Sequence, residues 1–411
     1  MSGPNAYSLL CGAADQALAA GAPPLPPFAQ PALDFLEALS AALLKDKSLR
    51  GYPDVISFAF FCRRGNLEQM KKEYGPQALA DRIGRGLAFH IAPSNVPINF
   101  AYSLAAALLA GNASLVKASS QDFPQTRLVC EAIRALVDPP ASPHHALKPY
   151  VNVITYPRER QELTQEFSAL CDVRIIWGGD ETVARVRQAP LAPQAFDVTF
   201  ADRYSLLAVR AAAVLDMDQA RLEAAAQGFF NDTFLTDQNA CTSPRLVYWL
   251  AEKEDAPQRT LAAQERFWAA VHRYAAPRYH LQSVVAVDKL TTLYEAAIRL
   301  PGVFRSPSPD NLIARIGVRE LLPGVESVRC PGGCFVEYAD TDLEALAPIV
   351  RRKFQTLSYL GLDPRQLRQF VLDRGLKGID RIVPLGHTMD FSLTWDGYDL
   401  IRTLSRQLQA L

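Results

Sequence analysis

One cysteine is placed where a thiol can do chemistry. Cys241 lies in Asn231-Asp-Thr-Phe-Leu-Thr-Asp-Gln-Asn-Ala-Cys-Thr-Ser-Pro244, after a helix-like run (Arg221 to Phe230) and before an apolar strand (Arg245 to Leu250). That puts Sγ on a connection between two regular elements, where turn N–H groups can point at an anion. The thiolate is the nucleophile of cysteine catalysis, and polar turns lower a thiol pKa from about 8.5. The competing role is that of a small buried hydrophobe. Cys330 and Cys334 are separated by three residues, two of them glycine. Without a second Cys or His pair they make a poor zinc site. His144-His145 stands in a Pro-rich loop and is expected to be solvated.

Other polar groups stand at strand-to-helix turns. The run Gly86 to Ala92 has strand length and ends at Pro93-Ser-Asn95-Val-Pro97, followed by an apolar helix, Phe100 to Leu109. Gly111-Asn112 is a C-cap signal. Ser114 to Lys117 is a strand, and Ser119-Ser120-Gln-Asp122 is expected to cap the next helix. Tyr150 to Tyr156 and Asp172 to Trp177 are further strands, with a helix between them from Arg160 to Leu170. The second strand runs into Gly178-Gly179-Asp180-Glu181-Thr182, where a glycine turn lets backbone approach a phosphate at a helix N-terminus. Most Gly-Gly pairs are merely tight turns, and Asp180-Glu181 fit first-turn positions better than phosphate contacts. Asn95 alone fits a turn residue bonding its own backbone, and Lys117 a strand-end lysine reaching water.

Alternating strands and helices of this kind specify a doubly wound parallel α/β sheet with ligands at its βα turns. With 411 residues the chain has room for two domains. Residues 1–227 are expected to form an N-terminal arm and a nucleotide-binding domain, and residues 228–375 a catalytic thiol domain. Residues 376–411 form a C-terminal segment that packs on the first domain or on a partner subunit. The Ala/Pro-rich stretch Ala20 to Pro31 suggests a loose arm. Helices are expected over Thr341 to Arg352 and, amphipathic, over Leu400 to Leu411. Hydrophobic residues make up 49% and charged residues 21%, as in ordinary globular proteins. Acidic and basic residues number 43 each, which leaves no electrostatic footprint for nucleic acid. No apolar run approaches the ~20 residues of a membrane span. The N-terminus lacks a signal-peptide pattern, and seven scattered cysteines suit the reducing cytoplasm.

Together Pro93-Ser-Asn-Val-Pro97, Ala110-Gly-Asn-Ala-Ser-Leu-Val-Lys117 and the Gly178-Gly179 turn resemble the aldehyde dehydrogenase superfamily, with Cys241 in the place of its nucleophile. Trp177-Gly-Gly-Asp-Glu-Thr182, Asp237-Gln-Asn-Ala-Cys241, Gly378-Ile-Asp-Arg-Ile-Val-Pro384 and Leu393-Thr-Trp-Asp-Gly-Tyr-Asp-Leu-Ile-Arg402 look like one branch, the acyl-CoA reductases of bacterial luminescence operons (LuxC type). The resemblance runs from about Tyr52 to Arg402.

That resemblance implies an aldehyde dehydrogenase-like fold and NADPH-dependent reduction of an acyl thioester to an aldehyde through an acyl-cysteine. Cys241 attacks the thioester, and Asn95 and the Cys241 N–H hold the oxyanion. Lys117 reaches the adenosine ribose, and Gly178, Gly179 and Thr182 follow the phosphate path. NADPH is favoured over NADH because Lys117 is followed by Ala118, Ser119 and Ser120 and not by a carboxylate that would repel a 2′-phosphate. The two hydroxyls are expected to serve that phosphate from a helix N-terminus. The implied donors are acyl-CoA or an acylated protein, with an acyl-protein synthetase or thioesterase as partner and a homo-oligomeric assembly. Hydrolytic members carry a general-base Glu where this chain has Thr199-Phe-Ala-Asp-Arg-Tyr-Ser205, so an acyl-enzyme here should await a second substrate. Asp202 is the fallback base. Two alternatives remain: a non-acylating aldehyde dehydrogenase, and a non-catalytic acyl-accepting subunit.

Overall fold

Short apolar runs of the sequence become the strands of two separate sheets. The computed structural model describes residues 7–13, 15, 19–252 and 256–409. The chain divides into two units, residues 1–201 with 391–411, and residues 202–390.

The first unit holds β1 (Ser8–Cys11), β2 (Arg82–Gly84), β3 (Leu87–Ile91), β4 (Ala113–Lys117), β5 (Val151–Thr155), β6 (Val173–Trp177) and β7 (Phe196–Phe200). Six of them form one sheet in the order β1-β5-β4-β3-β6-β7. All neighbours pair in parallel except β1 with β5. Every residue of β3 and β6 is buried, as expected of strands covered by helices on both faces. The strand order reverses beside β3, whose neighbours are β4 and β6. The loops beyond the carboxyl ends at such a switch point are where open α/β sheets bind ligands.

Four expectations for this unit are corrected. Ala20 to Pro31 is not loose. Its Leu25 and Phe28 N–H groups donate to the Gly111 and Leu109 carbonyls at 2.8 and 2.7 Å, capping the Asn99–Leu109 helix. Gly111, at φ 92°, is required there, because a Cβ would stand 1.9 Å from the Leu25 oxygen. The helix after β4 begins at Pro124, not at the serines. Proline suits the first helical position because its missing N–H would go unused there. The closing helix stops at Leu404, and residues 410 and 411 lie outside the described residues. Its last carbonyls at 402, 403 and 404 are taken by Arg82, Arg85 and Asn112, so the chain leaves to pair Ser405–Gln407 with β2. His144 and His145 are half-buried and not fully solvated; the His144 ring meets Phe35 and His145 Nδ1 bonds the Val137 carbonyl at 2.8 Å.

The second unit holds β8 (Tyr204–Arg210), β9 (Pro244–Leu250), β10 (Val303–Arg305), β11 (Ala314–Val318), β12 (Cys334–Asp340), β13 (Phe354–Leu360) and β14 (Arg381–Pro384). They form one sheet in the order β10-β11-β12-β9-β8-β13-β14, parallel except for β10. A core lies on each face. Because β8 pairs with β9 and β13, the second unit begins at Asp202 and not near Gln227. The return to the first unit comes at Phe391 and not at residue 376. The helix expected over Thr341 to Arg352 is a loop with one short turn, Glu344–Leu346. Asp340 and Asp342 carboxylates take the N–H groups of Thr341 and Glu344, and Pro348 has no N–H to continue a helix.

Candidate functional site

In the first unit Asn95, Lys117 and the Gly178-Gly179 turn stand at the carboxyl ends of adjacent strands, β3, β4 and β6. Asn95 is exposed in the bend between β3 and the Asn99–Leu109 helix. Lys117 ends β4 half-buried, with Nζ 5.4 Å from the Tyr156 ring centroid. Burial pulls its ammonium below the usual range, while the Glu159 charge pushes it back up. Ser119 Oγ accepts from the Gln121 N–H at 3.1 Å, and Ser120 is exposed. Neither serine caps a helix, which removes the helix-terminus part of the expected phosphate contact. Gly178 packs under Thr182, where a Cβ would come within 2.9 Å of the threonine methyl. Gly179 is exposed with open space where a Cβ would stand.

A buried chain of polar groups lies under this turn. The Trp177 indole N–H donates to Ser103 Oγ at 2.9 Å, and Ser103 Oγ bonds His90 Nδ1 at 2.7 Å. Burial drives the His90 pKa down to about 3, so its ring is neutral near pH 7. The Trp177 ring stacks on Phe200 with centroids 3.7 Å apart. This chain escaped sequence reading; its only signal was a histidine inside the apolar run Leu87–Ile91.

In the second unit Cys241 sits in the turn between the Gln219–Thr233 helix and β9. It is half-buried, whereas the other six cysteines are buried. The preceding residues are bound on all sides. Gln238, fully buried and at φ 58°, donates to the Pro244 and Cys334 carbonyls and accepts from the Gly333 and Cys334 N–H groups, each at 3.0 Å. Gly332 N–H donates to the Asp237 carbonyl at 2.9 Å, and Tyr279 donates to the Asp237 carboxylate at 2.8 Å. Ser205 Oγ, on β8, donates to the Cys241 carbonyl at 2.7 Å. An otherwise irregular loop thus has a defined shape, held largely by side-chain hydrogen bonds to backbone groups.

This geometry can be set beside known proteins. A family model described as acyl-CoA reductase (LuxC) matches residues 61–407. The chain belongs to the LuxC acyl-CoA reductase family. The long-chain acyl-protein thioester reductase of Photorhabdus luminescens is 24% identical over 361 residues, 84% of this chain and 70% of that protein. The one from Aliivibrio fischeri is 30% identical over 171 residues, 41% of this chain and only 33% of the relative's length. Among solved structures, Escherichia coli lactaldehyde dehydrogenase aligns with TM-score 0.62 at 13% identity, covering 96% of this chain and 87% of the other. A benzaldehyde dehydrogenase from Corynebacterium glutamicum aligns with TM-score 0.57 at 14% identity, covering 95% and 86%. The fold is that of the aldehyde dehydrogenases.

Within this LuxC-family chain the fallback base is occupied. Asp202 is bound by Arg329 Nη1 at 2.7 Å and by Lys353 Nζ at 3.3 Å. The free thiols of Cys330 and Cys334 share a hydrogen bond, and Lys289 Nζ donates to the carbonyls of Asn311 and Leu312 beside them. The hydrogen bond from Cys334 lowers the Cys330 thiol to about 7, while the same bond and burial push Cys334 up.

Asp232, fully buried on the helix before the Cys241 loop, accepts from the Gly386 and Thr388 N–H groups at 2.7 and 3.0 Å. Burial raises its pKa from 3.8 to about 6. A carboxyl whose folded pKa exceeds its unfolded value contributes most below about pH 4, and that contribution is lost as pH rises to about 6. At about 1.4 kcal/mol per pKa unit the swing is roughly 2–3 kcal/mol. Asp232→Asn, which cannot ionise, is therefore expected to improve relative to wild type by about that amount between pH 4 and 7. Urea denaturation across this range checks it, and a mutant-to-wild-type difference that does not change with pH would contradict it.

Proposed function

We propose that this LuxC-family chain reduces an acyl thioester, presented as acyl-CoA or on an acylated protein, to an aldehyde through an acyl-Cys241 intermediate, with NADPH as reductant. The observation that carries the reading is the half-buried thiol of Cys241 in its firmly bound turn. Its thiolate adds to the thioester carbonyl, and collapse of the tetrahedral adduct expels the donor thiol, leaving the acyl-enzyme. We assign Asn95 and the Cys241 N–H as the oxyanion donors, each such donor being worth about 2.7–4 kcal/mol in the transition state.

Several observations support a dinucleotide on the first unit. The carboxyl ends of β3, β4 and β6 meet at the switch point, and Gly179 opens onto free space. The buried Oδ1 of Asn99, four residues beyond Asn95, lacks a hydrogen-bond partner. Lys117, Ser119 and Ser120 would hold the adenosine ribose and its 2′-phosphate, and Gly178, Gly179 and Thr182 the phosphates. When bound, the nicotinamide supplies the hydride that brings the acyl group to the aldehyde level. The chain's own task is to keep water from the acyl-enzyme. Thr199 to Ser205 contains no Glu, and Asp202 is engaged by two cations, so no base there activates water. An acyl-protein synthetase or thioesterase is the partner class this donor chemistry suggests. We place the protein in the cytoplasm, where its seven free cysteines remain reduced.

The test is cofactor consumption across acyl-CoAs of differing chain length and ring content, with NADPH and NADH compared. A higher kcat/KM with NADPH is expected, and Ser120→Glu should move the preference toward NADH by placing a carboxylate near the 2′-phosphate. A wild-type preference for NADH, or a Ser120→Glu variant with unchanged preference, would overturn the cofactor assignment. Free acid formed from free aldehyde without any thiol would overturn the reductase itself.

A further inference from the structure

Two thiols that acylation leaves idle stand against the segment that carries Cys241. Cys330 and Cys334 close the turn Cys330-Pro-Gly-Gly-Cys334 and share a hydrogen bond. Five hydrogen bonds tie the backbone of this turn to residues 237–245. Gly332 N–H donates to the Asp237 carbonyl at 2.9 Å, and the Gly333 and Cys334 N–H groups donate to Gln238 Oε1 at 3.0 Å. In return Gln238 Nε2 donates to the Cys334 carbonyl at 3.0 Å and Arg245 Nη1 to the Cys330 carbonyl at 3.3 Å. Gly332 and Gly333, at φ 71° and 93°, let the turn double back tightly between its two thiols. What moves this turn moves the support of the Cys241 loop.

We propose that Cys330 and Cys334 are a redox modification site, closed to a disulfide by hydrogen peroxide, and that closure slows acylation of Cys241 by displacing the turn that holds it. The second part rests on the acyl-Cys241 reading; the first stands without it. The Cys330 thiolate attacks one peroxide oxygen, so that an S–O bond forms and the O–O bond breaks. The departing oxygen takes up the thiol proton and leaves as water. The Cys334 sulfur then attacks the sulfenic sulfur; the S–S bond forms, the S–O bond breaks, and a second water leaves with the Cys334 proton. Two electrons pass from the two sulfurs to the peroxide, and the products are one disulfide and two waters.

The surroundings select Cys330 as the attacking sulfur. Cys334 and the Thr292 hydroxyl bond to it and the Lys289 ammonium stands near, which together favour its thiolate against burial and the Asp288 charge. Lys289 is itself 4% exposed, with Nζ fixed on the Asn311 and Leu312 carbonyls. The other touching thiols, Cys11 and Cys130, are set differently: burial pushes Cys11 up, and its S–H donates to the Val151 carbonyl at 3.6 Å. Cys330 and Cys334 are 2% and 5% exposed, so the oxidant must be small, and a peroxide suits where a bulky disulfide does not. Their cover is thin, since Tyr279, Leu281 and Val285, which stand over Gly332, are only half-buried. A disulfide holds its sulfurs about 2.05 Å apart, well inside the contact of two hydrogen-bonded thiols. Closure therefore draws the turn inward and pulls the Gly333 and Cys334 N–H groups from Gln238. Gln238 is fully buried at φ 58°, where water does not replace a lost partner.

Peptide mapping of the Cys241→Ala chain after hydrogen peroxide tests closure apart from the nucleophile. Trypsin cuts after Arg329 and Arg351, so both sulfurs fall in one peptide, which is expected to lose two hydrogens and to regain them with dithiothreitol. In Cys334→Ser no resolving thiol remains beside Cys330, and dimedone is expected to mark Cys330 there and not in wild type. Acyl transfer from acyl-CoA, followed by intact mass, tests the consequence. Peroxide-treated wild type is expected to acylate on the order of 100-fold more slowly, the cost of misplacing a reacting group by about 1 Å, and to recover on reduction. Cys330→Ser, treated alike, is expected to keep its rate. An unchanged peptide in Cys241→Ala would overturn the modification site. Equal losses in wild type and Cys330→Ser would place the oxidation on Cys241 and overturn the control, as would a closed disulfide that leaves the rate unaltered. Untreated enzyme that takes no acyl group on Cys241 would overturn the acylation reading together with its control, and the peptide would still decide the modification site.

Discussion

Cys241→Ala is expected to abolish aldehyde formation while leaving the fold and nucleotide binding intact. Deleting a nucleophile removes the covalent route entirely, and losses on the order of 10³-fold or more are usual. The structural cost should be small for two reasons. Cys241 is half-buried, so few contacts are lost, and its loop is held by Gln238, Asp237 and Ser205 through atoms that the substitution leaves in place. Gln238→Ala should do the reverse, keeping the thiol but freeing four backbone groups and loosening the turn. Steady-state NADPH oxidation with acyl-CoA, beside nicotinamide fluorescence in titrations without acyl donor, separates catalysis from binding. Residual turnover within tenfold of wild type would contradict the nucleophile assignment.

Glu337→Gln is expected to be among the most destabilising single changes in the second unit, yet to leave the chemistry of each folded molecule unaltered. Arg315 and Glu337 are both buried, with Nε and Oε2 2.7 Å apart. The indole N–H groups of Trp249 and Trp268 donate to the other carboxylate oxygen at 3.0 and 2.6 Å, and Glu265 takes a second guanidinium nitrogen at 2.8 Å. Neutralising one partner leaves a buried guanidinium short of countercharge, which typically costs about 3–5 kcal/mol. For a unit of this size each kcal/mol lowers Tm by about 2–4 °C, so a fall on the order of 10 °C follows. Replacing both partners, Arg315→Met with Glu337→Met, should recover much of that loss, since well-packed apolar pairs often match a buried ion pair. Thermal and urea unfolding of the three variants measures this. A single variant as stable as wild type would show that the network is dispensable.

Local chemistry made the first sheet legible. Leu87–Ile91, Ala113–Lys117, Val151–Thr155 and Val173–Trp177 are apolar runs of strand length, each followed by a polar or glycine turn, and every one is a strand. What failed depended on choices between nearby signals or on distant partners. Ser119-Ser120 and Pro124 compete to start one helix, and proline won because its geometry is fixed while the serine hydroxyl turned to Gln121. The Ala20 to Pro31 stretch has the composition of a linker, and nothing within it reveals that the Leu109 and Gly111 carbonyls await its N–H groups.

The division between units was hidden for the same reason. Whether Tyr204–Arg210 joins the first sheet or the second is decided by pairing with β13, whose residues lie about 150 positions away, as in Phe354 with Tyr204. At the candidate site, Cys241, Asn95, Lys117 and the Gly-Gly turn stood out by type and setting. Gln238 did not, because a glutamine in a polar loop shows its purpose only when the Gly333-Cys334 backbone is brought against it.

The most direct measurement of the central claim is mass spectrometry of the intact protein and its peptides after mixing with acyl-CoA in the absence of any reductant. One acyl group per chain is expected, on Cys241, removable by added thiol and released as aldehyde on adding NADPH. An adduct on Cys330 or Cys334 in place of Cys241, or no covalent adduct under conditions where aldehyde is formed, would contradict the account.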